Sequence, residues 1–247
     1  DFMTTPYNLE AVELFKNDVP GFKIGSGDIT YERILLEIAK KNKPIFLATG
    51  ASTLEEITKS VDLITSINPK ICIMQCNTNY TGNIKNFNFV NLNVLKTFSK
   101  FWPGIVLGLS DHTPGHSTVL GAVALGASVI EKHFTDDNSR VGPDHSFAMN
   151  PKSWADMVNS VRELELSFGD GIKRIEPNEN ETVIIQRRAL RLKRNMKIGE
   201  VVTPSDLIAL RPCPKDAITP MDSKKVIGRK LKNPKIKGEE INWKDLI

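Results

Sequence analysis

The segment Ala-Ser-Val-Ile-Glu-Lys-His-Phe-Thr-Asp-Asp, residues 127–137, reads as a buried strand that ends in an acid, a base and an imidazole. A second run, Gly-Leu-Ser-Asp-His-Thr at 108–113, ends in a carboxylate and a histidine in the same way. Imidazole suits a divalent transition metal and leaves coordination positions open for substrate. If the two strands are neighbours, His112 and His133 face one mouth, each with a carboxylate beside it (Asp111, Glu131), as a candidate metal pair. A satisfied core or surface position explains a lone histidine equally well, so on residue types alone both readings stand. His116 has His-x-x-x-His spacing to His112, but Pro114 and Gly115 interrupt any helix between them. It belongs near a helix start.

Two further constellations could do chemistry. In Phe22-Lys23-Ile24-Gly25-Ser26-Gly27-Asp28, Lys23 offers a cation while Ser26 and Gly27 offer a hydroxyl and an accessible N–H. Thr4, Thr49 and Ser110 stand at comparable strand ends, so a ring of hydroxyls with one lysine could hold an anion. Taken singly, each hydroxyl is as well read as a strand-end cap. No glycine-rich nucleotide motif follows Gly25-x-Gly27, so a nucleotide is not implied. In residues 140–151, Gly142-Pro143 fixes a turn that presents Asp144 and His145. An exposed turn is the plain alternative.

The elements that must position these residues alternate. Short apolar runs at Phe2–Thr4, Phe22–Gly25, Ile45–Ala48, Ile71–Met74, Ile105–Leu109 and Val129–Ile130 are separated by amphipathic stretches. Ile34, Leu35, Ile38 and Ala39 form one apolar helical face; Leu54, Ile57, Val61 and Ile64 form another. Thr53 with Glu56 makes a capping-box pattern. A last helix runs from about Ser153, with Trp154, Met157, Val158, Val161 and Leu164 on its apolar side. Strand–helix alternation predicts a parallel sheet. Nearly every strand ends in a polar cluster, which favours a barrel, whose strand ends share one mouth, over an open doubly wound sheet. Six strands are visible where a (β/α)₈ TIM barrel needs eight. The expectation is an α/β barrel lacking its first two strands, poorly stable and inactive as an isolated chain. Beyond Phe168, the Gly-, Asn- and charge-rich stretch 169–186 reads as a linker. Residues 187–247 read as a small loop-rich domain with a weak repeat, Met196–Glu200 against Pro234–Glu239.

Bulk properties of the 247 residues set limits. With 40% hydrophobic and 25% charged residues the chain is an ordinary globular protein. It contains no signal peptide pattern or apolar run long enough to span a bilayer, so no membrane partner is expected. Cys72, Cys76 and Cys213 are too few and too unevenly spaced for a disulfide framework or zinc site, which makes a cytoplasmic location the expectation. The net charge of +4 is mild, and no aromatic-interleaved basic stripe points to nucleic acid.

The motifs TTPYNLEAVE, FKIGSGD, FLATGAS, the block from Gly108 to Asp137, GPDHSFAMNP and the tail from Met196 to Leu231 resemble, in order, the sialic acid synthase (N-acetylneuraminate synthase) family. The likeness includes its C-terminal module, similar to type III antifreeze proteins (a β-clip, or SAF, domain). The resemblance implies condensation of phosphoenolpyruvate with an N-acetylated amino sugar, typically N-acetylmannosamine, to a nine-carbon 2-keto acid and phosphate. It implies a Mn²⁺ or Mg²⁺ ion on His112 and His133. It implies Thr4, Lys23, Ser26, Thr78 and Ser110 around phosphoenolpyruvate, with Lys23 among the catalytic groups. Glu131 and Asp144 would hold or deprotonate groups on the sugar side, with Tyr80 beside the sugar. Arg211 would reach its N-acetyl group within a domain-swapped homodimer. The sequence departs from the family pattern at Ala48-Thr49-Gly50, where a hydroxyl is lost, and at Cys76-Asn77-Thr78, which puts Thr78 at a phosphate position. Related readings are a legionaminic or pseudaminic acid synthase acting on a 2,4-diacetamido hexose, and an enzyme making seven- or eight-carbon sugar acids. A non-catalytic or ice-binding module is disfavoured by the charge of residues 224–240.

Overall fold

The computed structural model describes residues 1–247. The chain divides into two compact units, Asp1–Gly169 and Asp170–Ile247.

In the first unit, five parallel strands run β1 (Phe22–Ile24), β2 (Ile45–Ala48), β3 (Ile71–Cys76), β4 (Val106–Asp111) and β5 (Ala127–Lys132). Their order in the sheet is their order in the chain. A doubly wound sheet reverses its strand order at a switch point; here there is none, and the sheet is barrel-like. The first expected strand is reduced to a single bridge, Thr4 to Phe22. Pro6 follows at once and cannot donate to a ladder.

Six helices accompany these strands: α1 (Leu9–Phe15), α2 (Glu32–Lys40), α3 (Leu54–Thr65), α4 (Val94–Phe101), α5 (Ser117–Ala124) and α6 (Pro151–Ser167). The periodic face Ile34, Leu35, Ile38 and Ala39 of α2 is buried. The capping box Thr53–Glu56 starts α3 as expected. A second box, Asn150–Ser153, starts α6 two residues before the expected point. The main core lies between the helices and the sheet face carrying Ile24, Leu47, Ile73, Leu107 and Leu109. The opposite, concave face carries Lys23, Phe46, Met74, Val129 and Glu131 around a cavity of about 270 Å³. Its far end is apolar, with Val106 46% exposed.

The second unit begins earlier than expected. The stretch 169–186 read as a linker has no helix or strand up to Glu176, and Pro177 then opens a 3₁₀ turn that runs into α7 (Asn180–Gln186). Carbonyls near the end of α7 are satisfied from within the unit: Cys213 N–H donates to Ile184 O at 2.8 Å and Arg211 Nε to Gln186 O at 2.6 Å. That capping gives the helix a fixed place.

Beyond it, β6 (Ala189–Leu192) pairs antiparallel with β7 (Leu207–Leu210), and α8 (Ser223–Val226) is a single turn. The weak repeat is a local two-fold. Met196 and Lys235 exchange both backbone hydrogen bonds, at 2.8 and 3.0 Å. Gly199 N donates to Leu231 O while Gly238 N donates to Leu192 O, at 2.8 and 2.9 Å. Both glycines have positive φ, +79° and +90°, a conformation costly for residues with a Cβ. Each half then closes with a capping box, Thr203–Asp206 in one and Asn242–Asp245 in the other.

Candidate active site

Side chains alternate across a strand, so Ser110 and Glu131 occupy one face of the sheet while Asp111 and Lys132 occupy the other. The register sets Ser110 opposite Glu131 and Asp111 opposite Lys132. Curvature then brings the inward residues of the first and last strands together: Lys23 Nζ lies 2.5 Å from Glu131 Oε2. Lys23 is largely enclosed and Glu131 is half exposed, with side-chain exposures of 13% and 46%. Thr4 lines the same cavity as this ion pair. Its carbonyl accepts from Lys23 N–H at 3.0 Å.

Beside the pair, three strand exits converge on Gly50. Its N–H donates to Ser26 Oγ at 3.0 Å. A Cβ at Gly50 would fall 1.8 Å from Thr78 Oγ1 and 2.9 Å from Ser26 Oγ. Glycine is required there because two hydroxyls close over it. Ser26 Oγ accepts from Gly50, so its own O–H remains able to donate to an anion. Thr49, expected among the hydroxyls of the mouth, is a correction: its Oγ1 donates to Met74 O at 2.9 Å in a buried position.

His112 and His133 follow directly on β4 and β5. Their ring centroids are 5.1 Å apart. His112 Nδ1 is 2.9 Å from Asn77 O. A carbonyl can only accept, so Nδ1 carries the proton and Nε2 presents its lone pair. Burial pushes both histidines below the usual imidazole range; at His133 the neighbouring His112 adds to this, while Asp144 and Glu131 oppose it. Neutral imidazole is the form that ligates metals. Tyr80 stacks edge-on against both rings, with centroids 4.3 Å from His112 and 5.7 Å from His133. Burial raises the pKa of its phenol, helped by nearby groups including Asp144 and Glu131.

The segment after β5 supplies Asp144, whose Oδ2 is 3.4 Å from His133 Nδ1. Asp144 has φ +70°. The turn holding it is fixed by Thr135 Oγ1 to His145 Nδ1 (2.7 Å) and by Asn138 Nδ2 donating to the carbonyls of His145 and Ala148, both at 2.8 Å. His145 is thus a structural member of the turn, whereas Asp144 faces the histidines. His116 is the N-cap residue of α5, as its Pro-Gly neighbours suggested. Asp111, paired with His112 in the sequence reading, points away from it and bonds to Lys132. Arg211 lies in the second unit, on Gln186 O.

Three contributors had no role assigned beforehand, although Lys132 was noted as the base at the strand end and Asn77 as the neighbour of Thr78. Asn77 acts through its carbonyl, which no residue type announces. Phe147, 7% exposed, packs 5.3 Å from His133 by ring centroids, and a Cβ on Gly82 would fall 2.6 Å from its Cβ. Lys132 had a signal: it and Asp111 each sit just before a strand-end histidine. No group of three or more His, Cys, Asp or Glu side chains gathers as a metal cage, so the histidine pair stands as two donors. No helix is long and apolar enough to cross a membrane.

Comparison with known proteins gives matches along the whole chain. The NeuB family matches residues 1–173 and the SAF domain matches residues 187–247. The N,N'-diacetyllegionaminic acid synthase of Campylobacter jejuni is 36% identical over 92% of this chain and 68% of its own length. The N-acetylneuraminate-9-phosphate synthase of Homo sapiens is 31% identical over 90% of this chain and 61% of its own. Among solved structures, the N-acetylneuraminic acid (sialic acid) synthetase of Leptospira borgpetersenii, in complex with citrate, superposes with a TM-score of 0.65 at 28% identity. That match covers 72% of this chain and 62% of the other.

Proposed function

Since the chain belongs to the NeuB family and carries a SAF domain, we propose that it condenses phosphoenolpyruvate with the open-chain aldehyde of an N-acetylated amino sugar. The products are a nine-carbon 2-keto sugar acid and phosphate. The observation that carries this reading is the Lys23–Glu131 ion pair, on a sheet whose strand exits also carry the hydroxyls of Ser26 and Thr78 and the imidazoles of His112 and His133.

An enolpyruvyl phosphate needs cationic and hydroxyl groups for its two anionic ends. Lys23, Ser26, Thr78, Ser110 and Thr4 are these groups. Its arrival gives Lys23 a second anionic partner and frees Glu131 to accept a proton. In the reaction, C3 of phosphoenolpyruvate forms a bond to the aldehyde carbon, whose oxygen takes up a proton to become a hydroxyl, and water adds at C2. The C2–O bond to phosphate then breaks, phosphate leaves, and the C2 hydroxyl gives up its proton to become the keto group. Either Glu131 or Asp144 takes the proton of the incoming water; Glu131 stands nearer the anion site and Asp144 nearer the histidines. Tyr80 forms a wall for the sugar, and Arg211 is the second unit's contribution to its N-acetyl group, delivered within a homodimer.

The donor set fits a divalent ion. His112 offers Nε2, His133 is held neutral by burial, and oxygen ligands from substrate and water suit the remaining positions. Mn²⁺ or Mg²⁺ bound to His112 and His133 would supply Lewis acidity at the aldehyde oxygen.

A 2,4-diacetamido hexose is the second acceptor to test, favoured by the 36% identity to the legionaminic acid synthase. The experiment is phosphate release from phosphoenolpyruvate with Mn²⁺, comparing N-acetylmannosamine with the 2,4-diacetamido hexose. Release that requires one sugar and is lost in His133→Ala is the expected result. Folded protein that releases no phosphate with either sugar would overturn the reading.

A further inference from the structure

Directly behind the mouth lies a buried ionic cluster that the proposed chemistry does not use. Lys132 Nζ donates to Asp111 Oδ2 at 2.5 Å and to Thr113 O at 2.7 Å. The side chains of Asp111 and Lys132 are each 2% exposed. Thr113 Oγ1 contacts both oxygens of Asp111, at 3.0 and 2.8 Å, and Thr118 Oγ1 donates to Asp111 Oδ2 at 2.7 Å. Thr118 belongs to α5, so the cluster ties the ends of β4 and β5 to the helix packed behind them.

The ladder between these strands is irregular. Leu107 pairs with Ala127, but Gly108 pairs with Val129, one residue having been skipped. A slip of one residue exchanges the faces of all side chains beyond it. Past this bulge, the near end of the ladder no longer dictates which residue of β5 lies opposite Asp111. The alternatives differ sharply in chemistry. Only the observed register puts an ammonium against the buried carboxylate; a slip either way offers Glu131 or His133 instead. Buried charge left without its partner is strongly unfavourable, and fixing register is the best-attested use of a buried polar pair.

We propose that Asp111 and Lys132 are positioning residues: a register lock that holds Ser110 level with Glu131 and, one step further, His112 level with His133. The pair acts through its chain neighbours. Each of its members immediately precedes a histidine, and the observed register alone sends both histidines to the concave face. The lock is a property of the two strands; its consequence for metal binding rests on the reading of His112 and His133 as the ligand pair.

The test separates register from stability. Asp111→Leu with Lys132→Met removes both charges while keeping apolar volume, so the fold has no unpaired charge to bury. Imidazole NMR spectra of the metal-free protein report the two histidines directly, and titration with Mn²⁺ alone reports their joint affinity. The expected result is a cooperatively folded double variant whose His112 and His133 signals shift or double, with Mn²⁺ affinity weakened by about 10- to 100-fold, the usual effect of losing a group that orients metal ligands. Lys132→Arg, which keeps the cation, should retain a single set of histidine signals. If the double variant does not fold, Thr118→Val carries the same spectroscopic test, because it releases one hydrogen bond from Asp111 and leaves both charges paired. A folded variant with histidine signals and Mn²⁺ affinity both unchanged overturns the lock. Wild-type protein that binds no Mn²⁺ would instead sink the metal reading, and the metal-free spectra would still decide the lock.

Discussion

The two units differ in where their polar side chains stand. The first has an apolar core that runs from Val12 to Met157. Lys23 and Glu131 line its cavity, and Ser26 and His133 stand just past the ends of β1 and β5. The second unit has only nine buried apolar side chains in its core, from Leu190 to Leu246. There the carboxylates are turned inward: Asp206 and Asp245 are buried and cap the turns that close each half. A small core gives little stabilisation from burial alone, so hydrogen bonds accepted by buried carboxylates carry a larger share. At the mouth of the first unit polar groups stand exposed to a ligand, while behind it Asp111 and Lys132, like Asp206 and Asp245 of the second unit, hold the chain.

The strongest way to break this comparison is Lys23→Met. If Lys23 holds the anion as proposed, its loss should lower the rate of phosphate release by about 10²–10³-fold, the size expected for one removed electrostatic contact to a reacting group. Thermal unfolding of the first unit should hardly move, because Glu131 is half exposed and stays solvated. A large drop in melting temperature would show that the mouth, too, is structural. A second prediction compares two capping boxes. Asp206→Ala removes acceptors for Thr203 N–H at 2.9 Å, Thr203 Oγ1 at 2.6 Å and Arg194 Nε at 2.7 Å, and should destabilise the second unit by about 2–3 kcal/mol. Thr53→Ala, at the exposed start of α3, should cost about 1 kcal/mol. Denaturant unfolding of both variants checks the order; equal costs would erase the distinction between the units.

The smallest effect is a pH dependence. Hydrogen bonds from Thr203, with Arg194 nearby, hold Asp206 below the usual carboxylate range against the effect of burial. A depressed folded pKa gives stability that is complete above the unfolded value, about 3.9, and is lost as pH falls toward the folded one. The second unit should therefore weaken below about pH 4, and Asp206→Asn should flatten that acid limb in circular dichroism melts. An acid limb unchanged by the substitution would assign the loss to other carboxylates.

Much of the first unit could be read from its residues. The apolar runs ending in polar clusters became β1–β5, and the Thr53–Glu56 spacing marked the start of α3, because strand ends and caps are local features. The grouping of His112 with His133 followed from taking their strands as neighbours, whereas the Lys23–Glu131 ion pair, between the first and last strands, was not read beforehand. What escaped the reading depends on direction or distance. Asp111 sits beside His112 in sequence but faces the other way, a consequence of strand alternation that matters only once the register is known. The Thr49 hydroxyl turned back to Met74 O, the carbonyl that its own N–H also meets, a direction that no residue type announces. Phe2–Thr4 looked apolar enough for a strand, yet it makes only one bridge before Pro6. The helix at Asn180–Gln186 sits in a stretch whose composition suggests a linker; partners near Arg211 and Cys213, far along the chain, cap it.

The two-fold of the second unit has a further consequence. Met196 and Lys235 meet as equivalent residues of two identical subunits would, so the unit amounts to a dimer written into one polypeptide. The residues between the halves serve as a tether, and the tether sets an effective concentration that free halves would have to match in solution. Lengthening it with flexible residues would cost little, since closure entropy grows only with the logarithm of loop length. Cutting it would turn a unimolecular folding reaction into a bimolecular one, whose midpoint would then depend on how much protein is in the tube.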